Sequence, residues 1–476
     1  MKTKTNIAGR TREKAVLRQL QNSPEAELLA VYGRRRIGKT FLITRFFGTF
    51  AFEFTGTYGI STRLQLINFA TALGSKEIPK NWTEAFFLLR KKMEKTQSHR
   101  KQVVFFDELP WIASRRSGFL PAFEHFWNSW GSRQGNLLFI ICGSAAAWMI
   151  NRVVHDKGGL HGRVTRTMQL APFSLCETHA YLRNRKFPDH HAQTLELYMA
   201  LGGIPHYLHL AQPSLSAAQN IDMLCFEPGA PLRNEFNEIY ASLFENHKHH
   251  LQIIKVLAKV QQGLTRAEIQ KKTRIESGGT LSKTIEELNG SGFIGIAIPF
   301  GRTQRDCLYR LTDGFSLFHQ RWIEGKRPFE GAGNHWLQLR STPRWNAWSG
   351  FAFENICLAH VNQIKAALGI AALQTESSAW RHHPKSAQDK GVQIDLLIDR
   401  NDGVVNLCEM KYSAKPFTIT KKYAEDLRGK LSVFQSVTKT RKALFLTMVT
   451  TQGVADNASS RELVNNQVEV DALFSS

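Results

Sequence analysis

The sequence is poor in most of the features that assign a chain quickly. Its six cysteines (Cys142, Cys176, Cys225, Cys307, Cys357 and Cys408) are scattered and include no CxxC pair. That spacing excludes a zinc ribbon and a disulfide framework, and it fits a reducing, cytoplasmic setting. The most apolar run, 137–150, is shorter than a bilayer span and is broken by Gly143 and Ser144. It reads as a buried strand leading into a helix, so no membrane partner is expected. The opening MKTKTNIAGR is basic, yet no apolar stretch follows it, so no secretion signal is expected either. Internal repeats and low-complexity tracts are missing. Acids are scarce too: 40 Asp+Glu against 62 Lys+Arg leave a net charge of +22. Such an excess favours polyanions, and with no basic amphipathic anchor for a membrane, nucleic acid (DNA before RNA) is the expected partner.

What is there begins with length. At 476 residues the chain exceeds one ordinary core. Residues 1 to about 210 alternate short apolar runs with helical stretches, the pattern of an α/β fold with a parallel sheet flanked by helices. Strands are expected at 28–33, 51–56, 103–109, 137–144 and 167–172. From about 245 to 325 three short helices (251–260, 266–272 and 279–289) precede two strands (293–299 and 307–311), the outline of a winged helix. A Gly- and Trp-rich stretch, 326–349, reads as a linker. Beyond it a helix over 351–368 leads into a β-rich segment.

The first strand runs into Gly33-Arg34-Arg35-Arg36-Ile37-Gly38-Lys39-Thr40, a G-x-x-x-x-G-K-T motif followed by a helix-compatible segment. Glycines at these positions let backbone N–H groups wrap phosphates at the positive end of a helix. Lys39 is then expected to neutralise the β- and γ-phosphates of ATP, and Thr40 to place its hydroxyl on Mg²⁺. A second element, Val103-Val104-Phe105-Phe106-Asp107-Glu108, ends an apolar strand in two acids. Asp107 suits holding the magnesium through water, and Glu108 suits orienting the attacking water, so ATP hydrolysis is expected. Ser144, after the next strand, either touches the γ-phosphate or caps the following helix. An arginine aimed at the γ-phosphate is also expected, with Arg163 the first candidate and Arg152 the second.

These residues resemble those of AAA+/STAND-type ATPases. Asn6-Ile7-Ala8-Gly9-Arg10 with Glu13 is similar to the opening motif that borders the adenine pocket there, which places Arg10 at the cofactor. Val31 to Thr40 is close to the form of the archaeal-and-bacterial ATPase branch, and Gly202-Gly203-Ile204-Pro205-His206-Tyr207-Leu208 resembles that branch's GG-x-P-x-Y-L motif in the helical lid. Pro205 departs from the sensor-two arginine of other AAA+ proteins. The resemblance implies a P-loop ASCE/AAA+ core over 1–175, a helical lid over 176–244 and a winged helix over 245–325, used either to read DNA or as a spacer. It also implies a site that a second copy or a protein partner completes.

The C-terminal part carries its own constellation. Gln393 and Asp395 share a face of one expected strand, Asn401-Asp402-Gly403 makes a turn, and Glu409 and Lys411 share a face of the next. Two carboxylates can hold Mg²⁺ or Mn²⁺ against a phosphodiester, and the lysine can stabilise developing charge. The pattern resembles the PD-(D/E)xK restriction-endonuclease-like superfamily, with Ile394-Asp395 in place of Pro-Asp. In that resemblance Glu354 is the helix-borne acid, and 350–476 forms an α/β nuclease-like domain. From Lys411 to Lys442 there are nine Lys/Arg and only Glu425 and Asp426 as acids, which suits a DNA-facing wall. Two functions stay open: an ATPase controlling a metal-dependent nuclease, with Asp395, Glu409 and Lys411 catalytic and Glu354, Asp395 and Glu409 on the metal; or an ATP-driven DNA-binding or signalling switch whose nuclease-like domain does not cut.

Overall fold

The computed structural model describes residues 7–475 except 97–99, 155–161, 245, 277, 327–334, 341, 383 and 385–390. The chain divides into two compact units. The first comprises Met1–Pro172, Ala241–Glu245 and Glu286–Gly292; the second comprises Phe173–Tyr240, Asn246–Ile285 and Phe293–Ser476.

In the first unit five strands, β1 (Glu27–Tyr32), β2 (Phe52–Thr55), β3 (Gln102–Asp107), β4 (Leu137–Gly143) and β5 (Arg166–Gln169), form one sheet in the order β2-β3-β4-β1-β5. Every neighbouring pair is parallel. Every residue of β3 and β4 is buried, as strands covered by helices on both faces must be, and that accounts for their unbroken apolar runs. One face carries an aromatic core: Phe106 lies 5.1 Å from Phe139, 5.7 Å from Phe54 and 5.9 Å from Phe119, centroid to centroid. The sheet is thus a parallel, helix-flanked sheet of the kind a P-loop ATPase core requires. Its carboxyl edge gathers the ends of β1, β3 and β4, where α/β sheets bind their ligands.

The second unit opens with the helices Leu175–Asn184, His191–Leu201 and Pro205–Leu210. Between the last two, Gly202 (φ 69°) and Gly203 (φ 67°) both lie in the left-handed region. A Cβ on Gly203 would sit 2.4 Å from the Phe173 carbonyl oxygen, so glycine is sterically required there. Pro205 then opens its helix at a position where no N–H is needed. Farther along the chain, the helices Lys248–Leu257, Arg266–Thr273 and Gly279–Gly290, the last of them counted with the first unit from Glu286 on, precede β6 (Ile294–Ala297) and β7 (Leu308–Leu311), an antiparallel pair, in the order read from the sequence.

The stretch expected to be a linker, 326–349, departs from that reading over its described part. His335–Leu339 is helical, and the next helix starts at Pro343 and runs to Ala359, eight residues ahead of the expected 351 start. Burial of its aromatic residues is the cause. Trp336 is fully buried, stands 4.8 Å from Trp345 and 5.3 Å from Trp348, and donates through Nε1 to Glu196 Oε1 at 2.9 Å. Its glycines suggested a spacer; its tryptophans make it part of a core.

The C-terminal segment holds a second sheet of β8 (Thr375–His382), β9 (Val392–Arg400), β10 (Val404–Lys411), β11 (Ala443–Thr450) and β12 (Asn466–Glu469), in the order β12-β11-β10-β9-β8. The β8–β9 and β9–β10 pairs are antiparallel, while β10–β11 and β11–β12 are parallel. A parallel step needs a crossover, which the helix Lys421–Thr438 supplies between β10 and β11. The expected turn at Asn401-Asp402-Gly403 closes β9 onto β10, with Gly403 at φ 86°.

Candidate nucleotide site and C-terminal acid cluster

At the end of β1 the chain turns sharply. Gly33 takes φ 146°, and a Cβ there would meet the Leu170 carbonyl oxygen at 2.4 Å. Gly38 takes φ 85° and starts the helix Lys39–Phe47, which has no side-chain cap on its N-terminus. An uncapped helix start behind a glycine-built turn fits the phosphates of ATP, since its leading N–H groups lack intrahelical partners. Lys39 is buried inside the turn, its Nζ donating to the carbonyls of Gly33 (2.9 Å) and Arg34 (3.0 Å) and to Ser144 Oγ (3.0 Å). Thr40 Oγ1 donates to Asp107 Oδ2 at 2.6 Å. A hydroxyl and a carboxylate brought together this way suit the Mg²⁺ of a bound nucleotide.

Glu108 adopts a left-handed backbone (φ 50°, ψ 49°) as β3 ends. That twist turns its carboxylate toward β4: Ser144 Oγ donates to Oε1 at 2.7 Å, and Ser144 N–H to Oε2 at 3.3 Å. Ser144 is not the cap of the helix Ala146–Met149, whose N-cap residue is Ala145. Lys39, Ser144 and Glu108 therefore form one hydrogen-bonded chain. Arg10 is buried, in a left-handed conformation of its own, and donates through Nη2 to the Ile37 carbonyl at 3.3 Å and through Nη1 to Glu13 at 3.2 Å. It braces the turn between Gly33 and Gly38. Arg34 is folded into the interior, whereas Arg35 and Arg36 are partly exposed, Arg36 at φ 75°. Arg163 and Arg152 are exposed, and their side chains join no hydrogen bond or ion pair among the described residues; the stretch 158–161 before Arg163, and Asn6 before Ile7, lie outside those residues.

The C-terminal acids are arranged differently from the expected metal site. Among the described residues no group of three or more His, Cys, Asp or Glu side chains is placed to hold a metal ion. Each acid is engaged by a partner instead. Glu409 lies on β10, with Lys411 Nζ 3.0 Å from Oε1, Lys430 Nζ 2.7 Å from Oε2, and the Tyr423 hydroxyl donating to Oε1 at 2.8 Å. Burial acts to raise its pKa, but Lys430 and Lys411 outweigh it and hold the carboxyl below its ordinary range. Buried Glu354 accepts from Arg310 of β7 and from Gln261. Here burial, reinforced by the charge of Asp395, prevails over Arg310 and raises the carboxyl to about 7. Asp395 accepts from the Gln393 amide on its own strand. In the expected trio of Glu354, Asp395 and Glu409 each carboxylate thus has its own hydrogen-bond partner, two of the three are ion-paired, and Lys411 is a partner of Glu409. Arg310, Gln261, Tyr423 and Lys430 were not legible as partners. Lys430 belongs to the basic run noted above, but nothing in its spacing points to Glu409.

No family model matches the chain. An uncharacterized protein of Methanocaldococcus jannaschii is 22% identical over 430 residues, spanning 88% of this chain and 91% of that protein. Among solved structures, a Walker-type ATPase of Pyrococcus abyssi is similar over 66% of this chain and 96% of its own, at 18% identity and a TM-score of 0.46. The ORC2 protein of Aeropyrum pernix is similar over 67% and 96%, at 13% identity and a TM-score of 0.42. The RuvB branch migration motor of Thermotoga maritima is similar over 63% and 92%, at 14% identity and a TM-score of 0.32. Among the described residues no helix is long and apolar enough to cross a membrane.

Proposed function

We propose that this chain is an ATP-hydrolysing switch that acts on nucleic acid, with a nuclease-like C-terminal domain that does not cut. The observation that carries the ATPase half is the continuous chain Lys39–Ser144–Glu108, with Thr40 bonded to Asp107 beside it. Bound ATP with Mg²⁺ would supply the phosphoanhydride to be cleaved. Lys39 would hold the β- and γ-phosphates, and Thr40 and Asp107 would hold the metal. Glu108 would orient a water and take its proton as the oxygen attacks the γ-phosphorus and the bond to the β-phosphate oxygen breaks. Ser144 would place Glu108 and report the state of the γ-phosphate to it. Arg10 braces the loop.

Partner choice is supported by charge, since a net +22 carried by 62 basic residues draws polyanions. The helix-then-strand order over 248–311 supports a winged helix, and the C-terminal helix, antiparallel strands and crossover support a restriction-endonuclease-like fold. Silence of that domain is supported by the engagement of Glu409 with two lysines and a tyrosine. A carboxylate so paired has little lone-pair capacity left for a metal.

The test is a matrix of ATP, Mg²⁺ and Mn²⁺ with single- and double-stranded DNA and RNA. ATP turnover abolished by Lys39→Ala, together with salt-sensitive DNA binding and no cleavage, is the expected outcome. Cleavage that Asp395→Ala abolishes would restore the nuclease reading. Absence of ATP turnover under every condition would remove the ATPase.

A further inference from the structure

At the end of the helix Gly314–Trp322 the cationic side chains of Lys326 and Arg344 lie against Trp322, with Arg321 beside them and Arg233 bonded to the Lys326 main chain. Lys326 Nζ lies 5.3 Å from the centre of the indole ring, and the Arg344 guanidinium carbon lies 4.9 Å from the same ring. Arg344 donates to the carbonyl of Arg321, and Arg233 donates to the carbonyl of Lys326, so neutral main-chain oxygens hold the guanidiniums. Among the described residues Arg233, Arg321, Lys326 and Arg344 form no ion pair. Glu324, two residues from Lys326, is already engaged: its carboxylate lies 2.6 Å from Lys255 Nζ.

The electrostatics follow from that arrangement. Burial, then the charges of Arg344 and Arg321, lower the Lys326 ammonium to about 8. Burial and then Arg321 lower Arg344 as well. Both groups therefore sit among other cations, a repulsion that costs free energy and that an anion would relieve. Trp322 is fully buried, and its Nε1 has no hydrogen-bond partner among the described residues. Arg321, Lys326 and Arg344 are exposed, so a large ligand can reach them.

We propose that Lys326 and Arg344, held against Trp322, together with Arg321 and Arg233, bind the phosphodiester backbone of a nucleic acid. The proposal rests on the nucleic-acid reading given above and uses none of the residues of the nucleotide site. Cations on main-chain anchors grip phosphates without reading bases, so binding here is independent of sequence and sensitive to salt.

Fluorescence anisotropy of labelled single- and double-stranded oligonucleotides, titrated with the full chain over a salt series, tests it. Arg321→Ala and Lys326→Ala, at exposed positions, are each expected to weaken binding roughly threefold to tenfold and to reduce the salt slope by about one. Lys326→Arg should restore both, and the ATPase rate should stay at the wild-type value. Wild-type affinity and slope in both alanine variants would overturn the site while leaving the nucleic-acid reading intact. No binding by the wild type to any oligonucleotide would overturn both. Loss of binding to phosphatidylserine vesicles, with oligonucleotide binding unchanged, would overturn the site in favour of a lipid surface.

Discussion

Ser144 and Glu108 are joined twice, the hydroxyl donating to Oε1 at 2.7 Å and the backbone N–H to Oε2 at 3.3 Å. The same hydroxyl accepts from Lys39 Nζ at 3.0 Å. A single side chain just past β4 therefore ties the lysine that follows the Gly33–Gly38 turn to the acid that follows β3.

Removing that side chain should uncouple the two. Ser144→Ala is expected to lower kcat for ATP hydrolysis on the order of tenfold to a hundredfold while nucleotide affinity changes little. Ser144→Thr, which keeps the hydroxyl, should recover most of the loss. Phosphate release and a nucleotide titration on the same preparations separate the effects. A fall in affinity as large as the fall in kcat would make Ser144 a binding group instead.

The buried pair of Arg310 and Glu354 should behave as a unit. Arg310→Met alone leaves a buried carboxylate without its cation and should cost about 3–5 kcal/mol. Arg310→Met combined with Glu354→Met removes both charges and should be far less damaging than the sum of the single changes. Denaturant melts of the four proteins close the cycle. Additive losses would mean that the pair is not coupled.

His319 makes stability depend on acid. Burial lowers its pKa from 6.5 to about 4, with Glu324 opposing. A depressed value means that the unfolded chain takes the proton first. Its stabilising contribution is full above about pH 6.5 and is lost as pH falls through about 4, by up to about 3 kcal/mol. His319→Gln should flatten the fall in Tm between these limits. An unchanged Tm profile would show that other groups set the acid limit.

Trp336 tests the segment that sequence composition presents as a spacer. Trp336→Ala empties a fully buried site and strands the bond to Glu196, so a loss of about 3–5 kcal/mol is expected in the second unit. Limited proteolysis should then open at this segment first. Unchanged protection would return it to the role of a linker.

These residues also show where sequence reading succeeds. β3 and β4 were legible because burial on both faces leaves unbroken apolar runs, and the glycines of the phosphate turn because their backbone angles admit little else. Asp107 and Glu108 follow from the position of a strand end. The partners of Glu354 were not legible, since Gln261 and Arg310 precede it by 93 and 44 residues and reach it only through tertiary packing. Acids spaced as in a metal site can equally be held by lysines, and only the fold brings Lys430 to Glu409. Tryptophans between glycines likewise carry no period, so their burial could not be read.

Gly33 carries a consequence for any shortened version of this chain. Its turn is walled by the Leu170 carbonyl, just beyond the four-residue β5. A fragment ending before Arg166 would keep Lys39, Thr40, Asp107, Glu108 and Ser144, yet would lack the strand that backs the phosphate turn. Such a fragment would carry the whole nucleotide motif in its letters and lose the shape those letters need.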